Sequence, residues 1–439
     1  MKFLTDLSTR LMQRYLPDPF LFVVILTLVV FAFGLLLTPS SPVEMVVYWG
    51  EGFWDLLEFA MQMVLVLVTG YVLASSKIFK SALDNLAKTA RSPGQAIIIV
   101  TLTALLASWI NWGFGLVIGA LFAKALARRI PSVDYRLLIA SAYSGFIVWH
   151  GGLAASIPLT VATDGHFSED LIGIIPTSET IFSSFNLMIT AALFLTVPIL
   201  NRLMMNPEKA VRVDPALLED KEESPPSKPK SEQTPAEKME NSVLLSMIIG
   251  FMGLGFIIYY LITAGFNLNL NIVNFLFLFL GIIFHATPKN YLASVSGAVK
   301  NAGGIIIQFP FYAGIMGMMT ASGLAVLLSQ WFVSMSTEMT YPLFAFLSAG
   351  IVNFFVPSGG GQWAVQAPIM LSAGQELGVS AARTAMAVAW GDAWTNMIQP
   401  FWALPALAIA GLNARDIMGF CIWVLFLSGT IIGLGLVFL

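Results

Sequence analysis

The sequence predicts an all-α polytopic membrane protein with about nine transmembrane helices plus two re-entrant hairpins in an inverted repeat. Composition is the first reason. Hydrophobic residues make up 57% of the 439, charged residues 11%, and mean hydropathy is +0.81, where a soluble domain carries roughly a quarter charged residues. The second is length: apolar runs of about 20 residues, enough for a helix to cross a hydrocarbon core, recur from end to end. The third is charge placement. All but one of the 22 Lys and Arg residues fall on one side of a membrane if the stretch 95–123 enters and leaves by the same face.

The first span, about 19–38, follows Lys2, Arg10 and Arg14 and reaches a loop with Glu44 and Glu51 but no Lys or Arg. Its end, Thr38-Pro39-Ser40-Ser41-Pro42, is a poor cleavage site, so it reads as a retained helix rather than a signal peptide. The second, about 54–75, returns to Lys77, Lys80, Lys88 and Arg91. Next comes 95–123, centred on Asn111-Trp112-Gly113-Phe114-Gly115, and then a second basic cluster of Lys124, Arg128, Arg129 and Arg136. Cytoplasmic loops collect Lys and Arg, so two clusters flanking one apolar stretch predict hairpin one. The third span, about 137–161, leads to Asp164, Glu169 and Asp170, and the fourth, about 180–200, returns to Arg202.

Residues 206–241 are dense in charge and proline and cannot bury a core. They read as a cytoplasmic linker between a first repeat, 1–205, and a second, 242–439. The second half holds an extra span at about 243–264, then spans at about 269–286 and 303–330. The stretch 342–375, interrupted by Asn353-Phe354-Phe355-Val356-Pro357-Ser358-Gly359-Gly360-Gly361-Gln362-Trp363, is hairpin two by symmetry. The last spans, about 384–411 and 417–438, place the N-terminus in the cytoplasm and the C-terminus outside. Internal similarity supports the repeat. Gly70-Tyr71-Val72-Leu73-Ala74-Ser75 precedes Asn111, Gly317-Met318-Met319-Thr320-Ala321-Ser322 precedes Asn353, and Gln62 and Gln308 sit at similar places. Inverted repeats with broken helices at the midplane are a plan of secondary transporters.

Candidate site residues lie at the breaks. In hairpin one, Asn111, Gly113 and Gly115 stand where the helix should fail. In hairpin two Pro357 ends a helix, Gly359, Gly360 and Gly361 free the backbone, and Asn353, Ser358, Gln362 and Trp363 add side chains. Exposed N–H groups of half-helices bind a carboxylate without a buried Arg. Close helix packing is the plainer role for such glycines. Gln308 precedes Phe309-Pro310-Phe311-Tyr312, another break, and is a further substrate-binding candidate. Asp392 and Asn396 in the eighth span, and His150 in the third, are candidates for ion coupling, because an ionisable group inside a bilayer is costly and histidine titrates near neutral pH. Trp112, Phe355 and Trp363 could shape an apolar pocket.

Several classes are excluded. No basic surface suggests nucleic acid. A lone cysteine, Cys421, leaves no disulfide or thiolate metal site, and the three histidines lack ligand spacing. No phosphate-binding loop and no nucleophile–base constellation appears, so neither catalytic residues nor a cofactor is expected beyond Na⁺ or H⁺ as a coupling ion. With no Arg deep in a span, a small monoanion fits better than a dicarboxylate.

Tyr15-Leu16-Pro17-Asp18-Pro19, Trp49-Gly50-Glu51-Gly52-Phe53-Trp54, Ile110 through Gly115, Gln308 through Gly314, Val356 through Gly361 and Gln399 through Leu407 together resemble the bacterial short-chain fatty acid transporter family. The resemblance runs essentially end to end. It implies a multi-pass carrier in the inner membrane for short monocarboxylates such as butyrate or acetoacetate, in contact with membrane lipids. More distantly, the paired hairpins resemble elevator-type carriers of dicarboxylates and citrate, which implies a homodimer. Those carriers commonly have Ser-Asn-Thr at the hairpin tips, which this chain lacks. A sodium-coupled dicarboxylate carrier and an anion channel are the competing readings.

Overall fold

The computed structural model describes residues 19–213, 218, 233–300, 302–353, 356 and 358–439. Lys2, Arg10, Arg14, most of the charged linker, Phe355 and Pro357 lie outside the described residues. All regular structure among the described residues is helical.

The same order of elements occurs twice. The first series is α1 (Pro19–Leu37), α2 (Pro42–Gly52), α3 (Leu57–Ala74), α4 (Lys77–Ala87), α5 (Pro93–Ile110), α6 (Trp112–Arg129), a broken span made of α7 (Tyr135–Ser144), a 3-10 turn (Gly145–Gly151) and α8 (Ser156–Val161), and α9 (Ser184–Leu203). A short helix (Pro235–Glu240) and the longer α10 (Val243–Thr263) lie between the two. The second series is α11 (Leu270–His285), α12 (Pro288–Val299), α13 (Gly303–Ala321), α14 (Leu324–Met335), α15 (Tyr341–Val352), α16 (Gly359–Glu376), a broken span made of α17 (Ala381–Thr395), a 3-10 turn (Asn396–Ile398) and α18 (Pro400–Ala410), and α19 (Ala414–Phe438).

Local chemistry sets these boundaries. The acidic loop expected after the first span is instead helix α2, started by a capping box in which Ser41 accepts from the Glu44 N–H and Glu44 accepts from the Ser41 N–H. The expected span 303–330 stops at Ala321, because Gly323 takes a left-handed φ of 79° and redirects the chain into α14. The third span is not one helix. Its middle turns 3-10 at Gly145–Gly151, and Gly152 leaves the helical region with φ −114° and ψ −173°. Seven described helical stretches, the broken span Tyr135–Val161 among them, are long and apolar enough to cross a membrane.

Two groups of helices pack internally. In one, α1–α3 meet α11–α13. A Cβ on Gly52 would stand 3.0 Å from Gly317 Cα, and Gln62 Nε2 donates to Asn271 Oδ1 at 3.0 Å. The other holds α5, α6, α15, α16, both broken spans, α9 and α19. There Asn201 Nδ2 donates to Thr101 Oγ1 at 3.0 Å and to Ser144 Oγ at 2.8 Å. The broken span 135–161 lies at the centre, with 94% of its most apolar stretch buried, against 22% for α10 at the periphery.

Candidate functional site

The two helix pairs fold back sharply. In the first, a Cβ on Gly115 would stand 2.5 Å from Ser108 N, and one turn further from the tip a Cβ on Gly119 would lie 3.4 Å from Ala104 Cβ. The chain reverses at Asn111. This residue is extended (φ −158°, ψ 127°) and caps α6 by accepting from the Phe114 N–H at 2.9 Å. The break is therefore a single residue. Gly113 and Gly115, expected within it, are helical, and their role is close approach: a Cβ on Gly113 would stand 3.1 Å from the Leu67 carbonyl.

In the second pair, Tyr341 OH donates to the Met370 carbonyl, Gln366 Nε2 to Ser348 Oγ at 3.2 Å, and Gln362 Nε2 to the Ala349 carbonyl at 2.8 Å. Their separations of 29, 18 and 13 residues converge on a tip just beyond Asn353. Ser358 caps α16 through a 3.4 Å bond from the Gly361 N–H. Each glycine that follows faces a ring. A Cβ on Gly359 would lie 2.5 Å from His150 Nε2, one on Gly360 2.6 Å from Phe59 Cζ, and one on Gly361 2.5 Å from the Tyr312 ring. Close packing accounts for all three, and it seats the start of α16 against the imidazole of His150.

His150, Trp149, Asp392 and Asn396 join the two broken spans. His150 Nδ1 is 2.7 Å from the Ala389 carbonyl and 3.4 Å from Asp392 Oδ2. The carbonyl, as the closer acceptor, takes the Nδ1 proton, and Nε2 of the neutral ring is then an acceptor. Both residues are fully buried, and neither Asp392 oxygen has a hydrogen-bond partner among the described residues. An ionised carboxylate left this way is strongly unfavourable, so the position calls for a proton or a cation. Trp149 Nε1 donates to Asn396 Oδ1 at 3.0 Å, and Tyr143 OH to the Asn396 carbonyl at 2.6 Å. Asn353, at the second tip, donates through Nδ2 to the Asp392 carbonyl at 3.0 Å and to Thr395 Oγ1 at 2.9 Å, while its own carbonyl accepts from Gln399 Nε2 at 2.8 Å.

The structure thus brings Asn353, Asp392, Asn396 and His150 into one network and places the Gly359–Gly361 turn beside it. Gln308 stays outside: its Oε1 accepts from Tyr312 OH at 3.3 Å, within its own helix. Trp363 is fully buried, with Nε1 lacking a partner among the described residues.

Other residues here were not singled out from the sequence. Asn186 Nδ2 donates to the Gly151 carbonyl at 3.1 Å, Asn186 Oδ1 accepts from Trp390 Nε1 at 3.0 Å, and Trp109 Nε1 also donates to the Gly151 carbonyl at 3.0 Å. Together they hold the break in the third span. Trp112, at the first tip, packs on Trp149 (5.9 Å between ring centroids) and Trp402 (5.4 Å), and Phe146 stacks on Trp149 at 5.4 Å. A separate cavity of about 110 Å³ is lined by Asp55, Glu58, Phe59, Thr163, Asp164 and His166, among others. Phe59 separates it from the second tip.

Comparison with known proteins gives a consistent result. The family model described as "Short chain fatty acid transporter" matches residues 1–439. A protein of Escherichia coli (strain K12) is 47% identical over 429 residues, covering 98% of this chain and 97% of its own, and one of Haemophilus influenzae (strain ATCC 51907 / DSM 11121 / KW20 / Rd) is 44% identical over 439 residues, covering 98% of both. Both names carry the same transporter description. Among solved structures, the Alcanivorax borkumensis YdaH transporter superposes with a TM-score of 0.62 at 16% identity, over 96% of this chain and 97% of that one. Neisseria gonorrhoeae MtrF, described within a class of antimetabolite efflux pumps, gives 0.56 at 14% identity, over 96% and 95%. At such identities these two establish a shared fold and nothing about cargo.

Proposed function

Because the chain belongs to the short-chain fatty acid transporter family, we propose that it is a secondary active carrier moving short-chain monocarboxylates, of the butyrate or acetoacetate kind, across the inner membrane down an ion gradient. One observation carries the mechanism. Two helix-pair tips and two broken spans, which we read as re-entrant hairpins and midplane breaks, converge on a buried cluster in which the carboxyl of Asp392, beside His150, has no hydrogen-bond partner among the described residues. Such breaks offer an anion the N–H groups of α6 and α16, and they offer a coupling ion the carboxylate. In this reading the substrate carboxylate sits between the tips and the proton or sodium ion is taken up at Asp392. Occupancy of one position favours occupancy of the other, because each charge compensates its neighbour in a medium of low dielectric.

Uptake of labelled butyrate into proteoliposomes, under an imposed pH gradient and separately an imposed sodium gradient, tests this. Accumulation above equilibrium under one of them is expected and names the ion. Equilibration without accumulation under both would make the protein a facilitator. Inhibition of butyrate uptake by succinate at equal concentration would overturn the monocarboxylate assignment.

A further inference from the structure

The cluster sorts by hydrogen-bonding sense, and the sorting separates the two tips. Each amide orientation here follows from its partners. Asn396 Oδ1 accepts from an indole N–H, which only donates, so its Nδ2 is the free end. Asn353 and Gln399 donate to carbonyls through their nitrogens, so Oδ1 and Oε1 are the free ends, and Gln362 Oε1 is free for the same reason. At the second tip and its neighbours the unsatisfied atoms are therefore acceptors: these three oxygens, both oxygens of Asp392 and His150 Nε2, which faces Gly359, with Trp363 Nε1 the exception.

Around Trp149 and the first tip they are donors. Trp112 Nε1, Asn111 Nδ2 and Asn396 Nδ2 have no partner among the described residues, and their side chains are 3%, 0% and 0% exposed. Trp112 and Asn396 contact the same indole: the Trp112 ring lies 5.9 Å from the Trp149 ring, and Trp149 Nε1 donates to the Asn396 carboxamide oxygen. The N-terminus of α6, an 18-residue helix, begins at Trp112 itself. Rings pack against these donors, with Trp402 5.4 Å from Trp112 and 5.7 Å from Phe146. A short fatty acid anion has this form: an acceptor-only head and a small apolar tail. Oxygens without donors suit a cation.

We propose that the substrate carboxylate is bound at the first tip by Trp112 Nε1 and Asn396 Nδ2 on either side of Trp149, with its acyl chain against Trp402 and Phe146. The second tip then serves the coupling cation. This rests on the carrier reading above and narrows it: it moves Asn396 from the ion to the substrate, and the second tip, with the start of α16, from the substrate to the ion. Trp402 becomes a specificity residue. Its ring, perpendicular to that of Trp112, closes the apolar end and limits the chain to a few carbons.

Three substitutions in proteoliposomes test the assignment. Trp112→Phe keeps the ring and removes only the N–H. It should raise the half-saturation concentration for butyrate about tenfold, as the loss of a hydrogen bond to a charged group does, with the dependence on coupling ion unchanged. Asn396→Asp keeps an oxygen for Trp149 Nε1 and replaces the free donor by a second oxygen. It should abolish butyrate uptake without tightening the ion requirement. Trp402→Ala should shift the preferred substrate from four carbons towards six or eight. Half-saturation of Trp112→Phe equal to wild type would overturn the proposal, as would a stronger affinity of Asn396→Asp for the coupling ion, which would return Asn396 to the cation. Folding is checked by monodispersity of the purified variants. If wild type accumulates no monocarboxylate, the carrier reading fails and takes the inference with it. If wild type transports and Trp112→Phe matches it, the inference alone fails.

Discussion

Asp392 is a buried carboxyl beside the neutral His150 ring, which spends its Nδ1 proton on the Ala389 carbonyl. Removing the charge while keeping the shape separates coupling from substrate binding. Asp392→Asn should leave the half-saturation for butyrate within about threefold of wild type, a change of under 1 kcal/mol, while uptake loses its response to the imposed gradient. Proteoliposome uptake with and without that gradient checks both. In the loop after α8, the buried His166 gives a pH dependence of stability. Its Nδ1 accepts from the Ser168 N–H at 3.2 Å and its Nε2 donates to the Gly173 carbonyl at 3.1 Å, an arrangement only the neutral ring supports. Burial holds its pKa below the ordinary 6.5. With the folded value depressed, this stabilisation is present above about pH 6.5 and is lost as pH falls through the folded value. Melting temperature should fall on acidification, and His166→Gln should flatten that part of the profile. Asn111, Asp392 and His150 were legible in the sequence because a polar residue in an apolar run stands out. Their partners were not. Asn186 and Trp390 are 204 positions apart and Trp149 and Asn396 are 247 apart, so no local pattern connects them.

At the level of helices, the triglycine turn was legible as a position and ambiguous as a role. Each of its glycines fits under a ring, so adding a methyl group forces a clash with a buried aromatic side chain. Overpacking of this kind costs about 1–3 kcal/mol, and the gain in helix propensity from Gly to Ala recovers at most about 1 kcal/mol. Gly361→Ala should therefore lower stability, visible as earlier thermal aggregation in detergent, and slow uptake by displacing Tyr312. An unchanged melting profile would show that the ring moves aside freely. A polar break in each of the third and eighth spans was legible, but not its cause. The third span looks continuous by hydropathy, yet it turns 3-10 and opens at Gly152, because that glycine lies under the Trp109 carbonyl, 2.1 Å from where a Cβ would stand. The contact belongs to the tertiary fold, and a run of apolar residues carries no trace of it.

For the molecule as a whole, the charge pattern predicts a sidedness in which one cation, Arg383, stands apart from the rest. The structure gives that residue partners of its own. Its Nη2 donates to the Leu436 carbonyl at 2.6 Å, near the end of α19, and its guanidinium lies 5.1 Å from the centre of the Phe185 ring at the start of α9. A cation at a helix C-terminus is favoured, and here it pins α17, α19 and α9 together. Arg383→Met keeps the apolar stem and loses the bond and the ring contact. It should cost about 2 kcal/mol, read as a lower melting temperature, with the half-saturation for butyrate unaltered. The recurrence of one element order in the two halves was legible from paired motifs. The extra helices α2, α4, α12 and α14 were not, since they are short and lie between the apolar runs that hydropathy detects.

The Arg383 clamp also implies a sequence of events in time. Leu436 is synthesised 53 residues after Arg383, an interval of about 3–10 s at the usual pace of translation. Asn201, which fastens α5 through Thr101, is by then long made, so the first helix pair can be locked while α17 still waits for its clasp. A nascent chain stalled short of Leu436 should accordingly leave α17 open to protease while α5 and α6 resist it.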